Sequence, residues 1–200
     1  MKATDSGPTD TPLLEDTIGA NLRSTAVRYP DNDALVDVSS GRRWTYAEFD
    51  AETDVVAGGL IASGIQKGDR VGIWAPNCPE WTILQYATAR IGAILVTINP
   101  AYRSHELTYV LGHAGIRLLV SASRFKTSDY RAMIDQVRPE VPDLAEVVFL
   151  DSEDWESLRA RSENISDKAL QERADTLSPT DPINIQYTSG TTGSPKGAVL

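Results

Sequence analysis

Alternation between two hydrophobic periods is the feature of this sequence that most restricts its fold. Leu14, Ile18 and Leu22 recur four residues apart, which is the spacing of one helix face. Arg70–Trp74 is instead a short apolar run typical of a strand. The two patterns keep alternating, with short links, as far as the predicted strand Ile183–Tyr187. This order predicts an α/β fold, in which helices flank a layered and largely parallel sheet.

Local signals predict where several elements begin and end. The run Thr45-Tyr46-Ala47-Glu48 fits a capping box at a helix start, and Gly64 is suited to end that helix in a left-handed conformation. Pro79 stands at the first position of another predicted helix. Ser104 is predicted to cap a helix that ends at Gly115. Ala34–Val38 is predicted to be a strand.

Two further segments have alternative interpretations. Ala93–Ile98 is a near-continuous apolar run, as in a strand covered on both faces, and Asn99–Arg103 follows it. Open α/β sheets bind ligands beyond the carboxyl ends of their strands, so Asn99–Arg103 is either a functional loop or a simple turn. Asp151–Arg173 is polar and helix-prone, and we expect a solvated face there.

Charge and cysteine content exclude some classes of protein. The formal net charge of -9 argues against a nucleic-acid binder and against docking on an anionic membrane. Cys78 is the single cysteine, so an intrachain disulfide is impossible, and we expect a structural role for it. Residues 1–12 lack the apolar run of a signal peptide, and no apolar stretch is long enough to span a membrane. The sequence therefore predicts a cytoplasmic protein with a flexible tail at residues 1–12.

Histidines and aromatic residues show no pattern that requires a metal or a cofactor. His105 and His113 are eight residues apart on one predicted helix, which separates them by about 12 Å along its axis. That separation is too large for one metal ion, and zinc-type spacing is absent. Four aromatic residues could stack on a cofactor, although core packing is favoured: Trp74, Trp81, Tyr86 and Tyr102.

The chemistry of the chain is concentrated in one loop that begins after Tyr187. Residues 188–194 comprise five hydroxyl side chains and two glycines, and Lys196 follows them. Glycines allow backbone N–H groups to surround an anion, and hydroxyls donate to phosphate oxygens or bind Mg²⁺. Lys196 adds a positive charge, and Pro182–Leu200 contains no Asp or Glu. The loop is therefore predicted to bind a polyphosphate.

Two other interpretations of this loop fit less well. A Gly/Ser/Thr-rich surface linker does not explain the Pro-Lys-Gly run at a fixed distance. A Walker-type P-loop requires Gly before the lysine and Ser or Thr after it, whereas Pro195 and Gly197 flank Lys196. The residues after Gly197 also favour a strand, whereas a P-loop opens a helix.

At Tyr187–Gly197 the sequence resembles the signature of the adenylate-forming (AMP-binding) superfamily at every position of the motif. A weaker resemblance covers most of residues 13–200. Asn99–Arg103, together with Glu106-Leu107, is most similar to the medium- and long-chain fatty acyl-CoA synthetases. Other segments that resemble the amino-terminal region of the superfamily are Trp44–Glu48, Gly68–Val71, Asn77–Trp81 and Gly92–Val96.

The resemblance implies a two-step ligase reaction with ATP, Mg²⁺ and coenzyme A. The carboxylate of a fatty acid would attack the α-phosphate of ATP, giving acyl-AMP and pyrophosphate, and the thiol of coenzyme A would then displace AMP to give acyl-CoA. Thr188 would hold magnesium and phosphate, Lys196 would pair with the phosphates, and Pro195 and Gly197 would hinge the loop. The residues implied to wrap the β- and γ-phosphates are Ser189, Gly190, Thr191, Thr192 and Gly193, with Ser194 in the same loop.

The resemblance also implies that 13–200 is an incomplete amino-terminal portion of the large adenylate-forming domain, truncated after the phosphate loop. The adenine and acyl pockets and the catalytic lysine are expected beyond residue 200, so no catalytic residue is assigned here. We therefore expect the chain alone to be inactive and to expose some apolar surface. Two alternatives stay open, namely an adenylation domain that loads an amino or aryl acid onto a carrier protein, and a truncated, non-catalytic nucleotide-binding or interaction protein. The acid class and the oligomeric state are not predicted.

Overall fold

A six-stranded sheet forms the centre of the computed structural model, which describes residues 7–8, 10, 12, 14–188 and 195–200. The strand order is β10-β9-β4-β3-β5-β8, and all neighbours are parallel except β9 and β10. The prediction of a largely parallel sheet is therefore confirmed. The strands of this sheet are β3 (Arg70–Trp74), β4 (Ile94–Thr97), β5 (Ile116–Ser121), β8 (Glu146–Phe149), β9 (Asn184–Thr188) and β10 (Lys196–Val199).

Two small antiparallel pairs lie outside this sheet. The first joins β1 (Asp33–Val36) to β2 (Arg43–Thr45), and the second joins β6 (Arg124–Phe125) to β7 (Ser128–Asp129). The predicted strand at Ala34–Val38 is thus shorter than expected, and Val38 is 91% exposed. The physical reason is a turn in which the carboxylate of Asp37 accepts hydrogen bonds from the hydroxyls of Ser39 and Ser40.

Helices cover both faces of the sheet, as the alternating pattern predicts. One face is packed by α1, α2, α3, α6 and α7, and the other by α4 and α5. Each face has its own cluster of buried apolar side chains. The helices are α1 (Ile18–Arg28), α2 (Tyr46–Ala62), α3 (Pro79–Ile91), α4 (Ser104–Ala114), α5 (Tyr130–Val137), α6 (Glu153–Ala160) and α7 (Asp167–Ala174).

Most predicted helix boundaries are confirmed by hydrogen bonds. The Glu48 carboxylate accepts from the Thr45 amide at 2.8 Å, and the Glu48 amide donates to the Thr45 hydroxyl at 3.2 Å, which completes the predicted capping box. Gly64 has a φ of 84°, so it adopts the left-handed conformation expected after α2. Pro79 is the first residue of α3.

Two predicted helix starts are wrong. Ser104 is the first residue of α4 rather than its cap, because the Glu106 carboxylate already accepts the amide of Arg103 at 3.1 Å. The first helix begins at Ile18, since Thr17 caps it by accepting from the Ala20 amide. Leu14 therefore lies outside the helix and is 81% exposed.

The polar segment Asp151–Arg173 is not only a solvated face. It contains α6 and much of α7, and Trp155 and Leu158 bury their side chains in the core. Arg159 forms an ion pair with Glu52 of α2 at 2.7 Å, which ties α6 to the rest of the helical layer. The charged residues here therefore also serve packing.

A cluster of four charged side chains connects α1, α2 and α3, and we call it the Arg90 cluster. Arg90 has a side chain only 3% exposed, and its guanidinium lies 2.5 Å from the Asp50 carboxylate and also contacts Asp54. Arg23 bonds the same two carboxylates from the outside, at 2.9 Å and 2.7 Å. The sequence analysis did not identify this cluster.

The two ends of the chain differ in how much of them the structure describes. The tail predicted at residues 1–12 lies largely outside the described residues, so its flexibility stays a prediction. At the other end, Val199 of the edge strand β10 and Leu200, which follows the strand, are about three-fifths exposed. Among the described residues, no helix combines the length and the apolar character needed to cross a bilayer.

Candidate functional site

The predicted phosphate loop connects β9 to β10 at the carboxyl edge of the sheet. Since β9 is parallel to β4, its end at Thr188 lies on the same side of the sheet as the end of β4. The chain returns antiparallel through β10, which starts at Lys196. The carboxyl edge is where open α/β sheets commonly bind ligands.

Thr188 and Lys196 face each other at the base of the loop. They are direct partners in the β9–β10 register, and the Thr188 hydroxyl lies 3.4 Å from the Lys196 carbonyl oxygen. Both residues are exposed. No carboxylate in the described part of the chain forms an ion pair with Lys196. Its ammonium group is thus available to an anion.

The six residues between Thr188 and Pro195 lie outside the described residues. Their predicted role in wrapping phosphates stays a prediction. They are Ser189, Gly190, Thr191, Thr192, Gly193 and Ser194.

Gly197 lies inside β10 rather than in the loop. It is opposite Tyr187 in the strand register. A Cβ atom at this position would be 2.9 Å from Cγ2 of Ile185 and 3.3 Å from Cζ of Tyr187. Close packing against β9 therefore explains the glycine, and the predicted hinge role of Gly197 is not tested by this geometry.

Three aromatic rings meet beside the end of β9, namely those of Tyr109, His113 and Tyr187, and we call them the Tyr187 cluster. The Tyr187 hydroxyl lies 2.7 Å from Nδ1 of His113. The ring of Tyr109 stacks on His113 with centroids 5.1 Å apart and meets Tyr187 edge-on at 6.4 Å. Burial, together with the nearby phenol groups of Tyr109 and Tyr102, raises the pKa of Tyr187 to about 12.

Sequence reasoning missed the Tyr187 cluster, although it noted His113. The two partners in its hydrogen bond are 74 residues apart, so no local pattern joins them. A signal was nevertheless present, because Tyr109 and His113 are four residues apart and share one face of α4. His105 is also on α4 but is exposed. In the described residues, no group of three or more His, Cys, Asp or Glu side chains could hold a metal ion.

The aromatic residues considered as a stacking set are core residues in separate places. Trp74 is fully buried and stacks on Tyr130 with centroids 3.6 Å apart. Its indole N–H donates to the carbonyl of Asn99 at 3.1 Å, which fixes the start of the Asn99–Arg103 turn. Trp81 and Tyr86 pack in the cluster on one face of the sheet, whereas Trp74 and Tyr102 pack on the other.

Cys78 has a structural position, as expected. It is the residue that precedes the first turn of α3, and it packs partly against the core. Burial raises the pKa of its thiol to about 11, so the thiol stays protonated near neutral pH and is a poor nucleophile.

A groove lies on another part of the molecule. It has a volume of about 810 Å³ and runs between α1 and α7, where Arg23, Lys168 and Leu170 line it. None of the residues that flank the phosphate loop contributes to this groove. It is therefore separate from the candidate site.

Comparison with known proteins agrees with the predicted family. A family described as AMP-binding enzyme matches residues 22–200. The mitochondrial medium-chain acyl-CoA ligase ACSF2 of Macaca fascicularis is 44% identical, over 97% of this chain and 34% of the relative. The putative acyl-CoA synthetase YngI of Bacillus subtilis is 37% identical, over 94% of this chain and 38% of the relative.

Solved structures show the same fold over a similar portion. A Mycobacterium tuberculosis fatty acyl CoA synthetase superposes with a TM-score of 0.70 at 28% identity, over 92% of this chain and 34% of that protein. The N-terminal domain of FACL13 from Mycobacterium tuberculosis gives a TM-score of 0.71 at 29% identity, over 94% of this chain and 44% of that one. The chain spans about a third of the length of the curated relatives it matches.

Proposed function

Because this chain belongs to the family of AMP-binding enzymes, we propose that it supplies the ATP-phosphate-binding part of an AMP-forming acyl-CoA ligase. One observation carries the proposal. Thr188 and Lys196 stand side by side at the carboxyl edge of the sheet, at the two ends of a loop rich in glycine and hydroxyl side chains. That combination of donors and positive charge suits a polyphosphate.

The residues at the loop base fit both proposed ligands. The exposed Lys196 ammonium would pair with the β- and γ-phosphates, and the backbone amides and hydroxyls of residues 189–194 would surround them. Mg²⁺ usually takes one or two protein oxygens and fills its other positions with water and phosphate oxygens. The single Thr188 hydroxyl is therefore enough to fit it, and the ion would neutralise charge on the phosphates.

The proposed chemistry requires charge compensation above all. A carboxylate is a poor electrophile because its leaving group would be oxide, and adenylation turns that oxygen into part of a good leaving group. Both reactants are anions, so the site must offset their repulsion. Fixed positive charge and oriented amides do this at little cost in reorganisation. Lys196 would supply that charge and keep the pyrophosphate portion in place.

Sequence identity favours an acyl-CoA ligase over the alternatives. Relatives with 40–44% identity are named as medium-chain acyl-CoA ligases, which supports a fatty acid and coenzyme A as the other substrates. A domain that loads a carrier protein is less well supported. The same relatives are named as mitochondrial, so the predicted cytoplasmic location is left as a prediction. We also propose that 13–200 forms the amino-terminal part of the larger domain.

ATP binding by the 200-residue chain tests the proposed site. We expect Lys196→Ala to weaken ATP binding about 10- to 100-fold, because a charge-assisted contact with phosphate is lost. The dissociation constant can be measured by titration calorimetry with MgATP. Lys168→Ala is the matched control, since Lys168 is another lysine with an 85% exposed side chain and lies away from the loop. Equal affinity of both variants would contradict the assignment.

Pyrophosphate exchange tests whether this portion turns over alone. With ATP, Mg²⁺ and a medium-chain fatty acid, we expect no exchange above the level of the Lys196→Ala variant. The reason is that the chain spans about a third of its relatives, so the adenine and acyl pockets are proposed to lie outside it. Exchange well above that variant would mean that residues within the chain are sufficient for adenylation.

A further inference from the structure

We propose that His113 is a positioning residue for the phosphate loop and acts through Tyr187; this rests on the proposed function. Tyr187 directly precedes Thr188, the first residue at the base of the loop. The hydrogen bond from Tyr187 to His113 joins the end of β9 to α4 on the face of the sheet.

The partner of Tyr187, His113, lies on a helix that is fixed to the core. α4 buries Leu107, Val110 and Leu111 against the sheet, so the helix that carries His113 is fixed to the core. The Tyr187 hydroxyl and Nδ1 of His113 share one hydrogen bond, in which the tautomer of the imidazole sets which of the two donates. The bond links two elements that are far apart in sequence, and it restrains the last turn of α4 and the last residues of β9 together.

Ring packing restricts the side chain of Tyr187 further. His113 meets its ring edge-on with centroids 5.9 Å apart, and Tyr109 does the same at 6.4 Å. Such edge-to-face arrangements are a favoured geometry for aromatic pairs. The hydrogen bond of the hydroxyl and the packing of two neighbouring rings thus both restrict the phenol ring.

The second strand of the hairpin, β10, also packs against the ring of Tyr187. Gly197 is opposite Tyr187, and a Cβ atom there would lie 3.3 Å from Cζ of the phenol ring and 2.9 Å from Cγ2 of Ile185. Both strands that flank the loop therefore pack against one ring. If the loop must present its amides and Lys196 in one arrangement to bind phosphate, this ring sets the spacing of its two ends.

A set of single and double variants of the full 200-residue chain tests this role. Tyr187→Phe removes only the hydroxyl, and His113→Leu removes the hydrogen-bonding partner of that hydroxyl. His113→Asn keeps a polar group, able to donate or accept, close to the position of Nδ1. His105→Leu is the matched control, because it replaces an exposed histidine of the same helix that is not in the Tyr187 cluster.

Two measurements are made on each variant: amide hydrogen exchange of the ligand-free chain across residues 185–199, and the dissociation constant for MgATP. We expect faster exchange at the ends of β9 and β10, unchanged exchange in β3, and about fivefold weaker ATP binding for Tyr187→Phe and for His113→Leu. The double variant should be no worse than either single one, because both remove the same bond. His113→Asn should recover most of the slow amide exchange and most of the ATP affinity. His105→Leu should match the unaltered chain in both measurements.

The two readouts separate this inference from the proposed function. If amide exchange is unchanged in Tyr187→Phe and His113→Leu, the bond does not hold the ends of β9 and β10, and the inference fails whatever the affinity for ATP. Faster exchange with unchanged affinity, or fully additive effects in the double variant, overturns the positioning role. If the unaltered chain binds no ATP, the proposed function fails, while faster exchange in the two variants still supports the anchor at the base of the loop.

Discussion

Replacement of Arg90 by Met is expected to lower the free energy of unfolding by about 3 kcal/mol or more. The guanidinium is buried and bonds the carboxylates of Asp50 and Asp54, so its removal leaves those charges poorly compensated at the junction of α1, α2 and α3. Arg23 still reaches both carboxylates from the outside and offsets part of the loss. Urea denaturation followed by circular dichroism gives the change directly.

Arg43→Ala is the control for the Arg90 prediction. Arg43 also pairs with an aspartate, Asp33, at 2.6 Å, but both side chains are more than half exposed. Exposed ion pairs contribute about 0–1 kcal/mol, because water and salt screen them. Equal losses for the two variants would show that burial does not decide the strength of the Arg90 cluster. A stabilised Arg90→Met variant would mean that desolvation outweighs the bonds that the guanidinium makes.

Substitution of Gly59 by Ala is expected to destabilise the chain by about 3 kcal/mol. A Cβ atom at Gly59 would lie 2.2 Å from the backbone carbonyl oxygen of Leu158, so α2 and α6 cannot keep their present distance. The contact is with backbone rather than with a flexible side chain, which leaves movement of a whole helix as the remaining response. Thermal and urea unfolding measure the loss.

The same substitution at Gly112 should have the opposite sign. Gly112 lies within α4, where the nearest atom to an added Cβ is Cγ1 of Val141 at 3.8 Å, an ordinary contact distance. Alanine in a helix interior is favoured over glycine by about 0.5–1 kcal/mol, so Gly112→Ala is expected to stabilise the chain by that amount. A loss of stability at both sites would indicate that crowding is not what distinguishes Gly59.

The layered fold could be predicted from the sequence because its signals are local. The capping box of Thr45 and Glu48 needs only four consecutive residues, and strand and helix periods are visible within one element. Predictions failed where a nearby side chain competed with the hydrophobic pattern. Thr17 caps α1 and excludes Leu14, and Asp37 begins a turn that ends β1 before Val38.

Contacts between distant segments were beyond sequence reasoning. A buried arginine is rare, and the two carboxylates that pair with Arg90 lie on α2, 36 and 40 residues earlier in the chain, so no spacing rule identifies them. The motif at Thr188–Lys196 predicted the loop because its chemistry is contained in adjacent residues. The support beside the base of that loop is distributed over α4 and β9, so the motif includes Tyr187 while no local pattern joins it to His113.

The opposition of Gly197 and Tyr187 across the hairpin has a consequence for how this motif can vary. A Cβ atom at Gly197 would lie 2.9 Å from Cγ2 of Ile185 and 3.3 Å from Cζ of Tyr187, so a larger residue at the end of the run would crowd two side chains of β9. Gly197→Ala would therefore force the side chain of Ile185 or the phenol of Tyr187 to shift, and a shift of the phenol would disturb its bond to His113. A shorter residue 187 would relieve only the contact with the phenol and would lose the bond to His113, so glycine is expected to be kept at 197 wherever residues 185 and 187 are large.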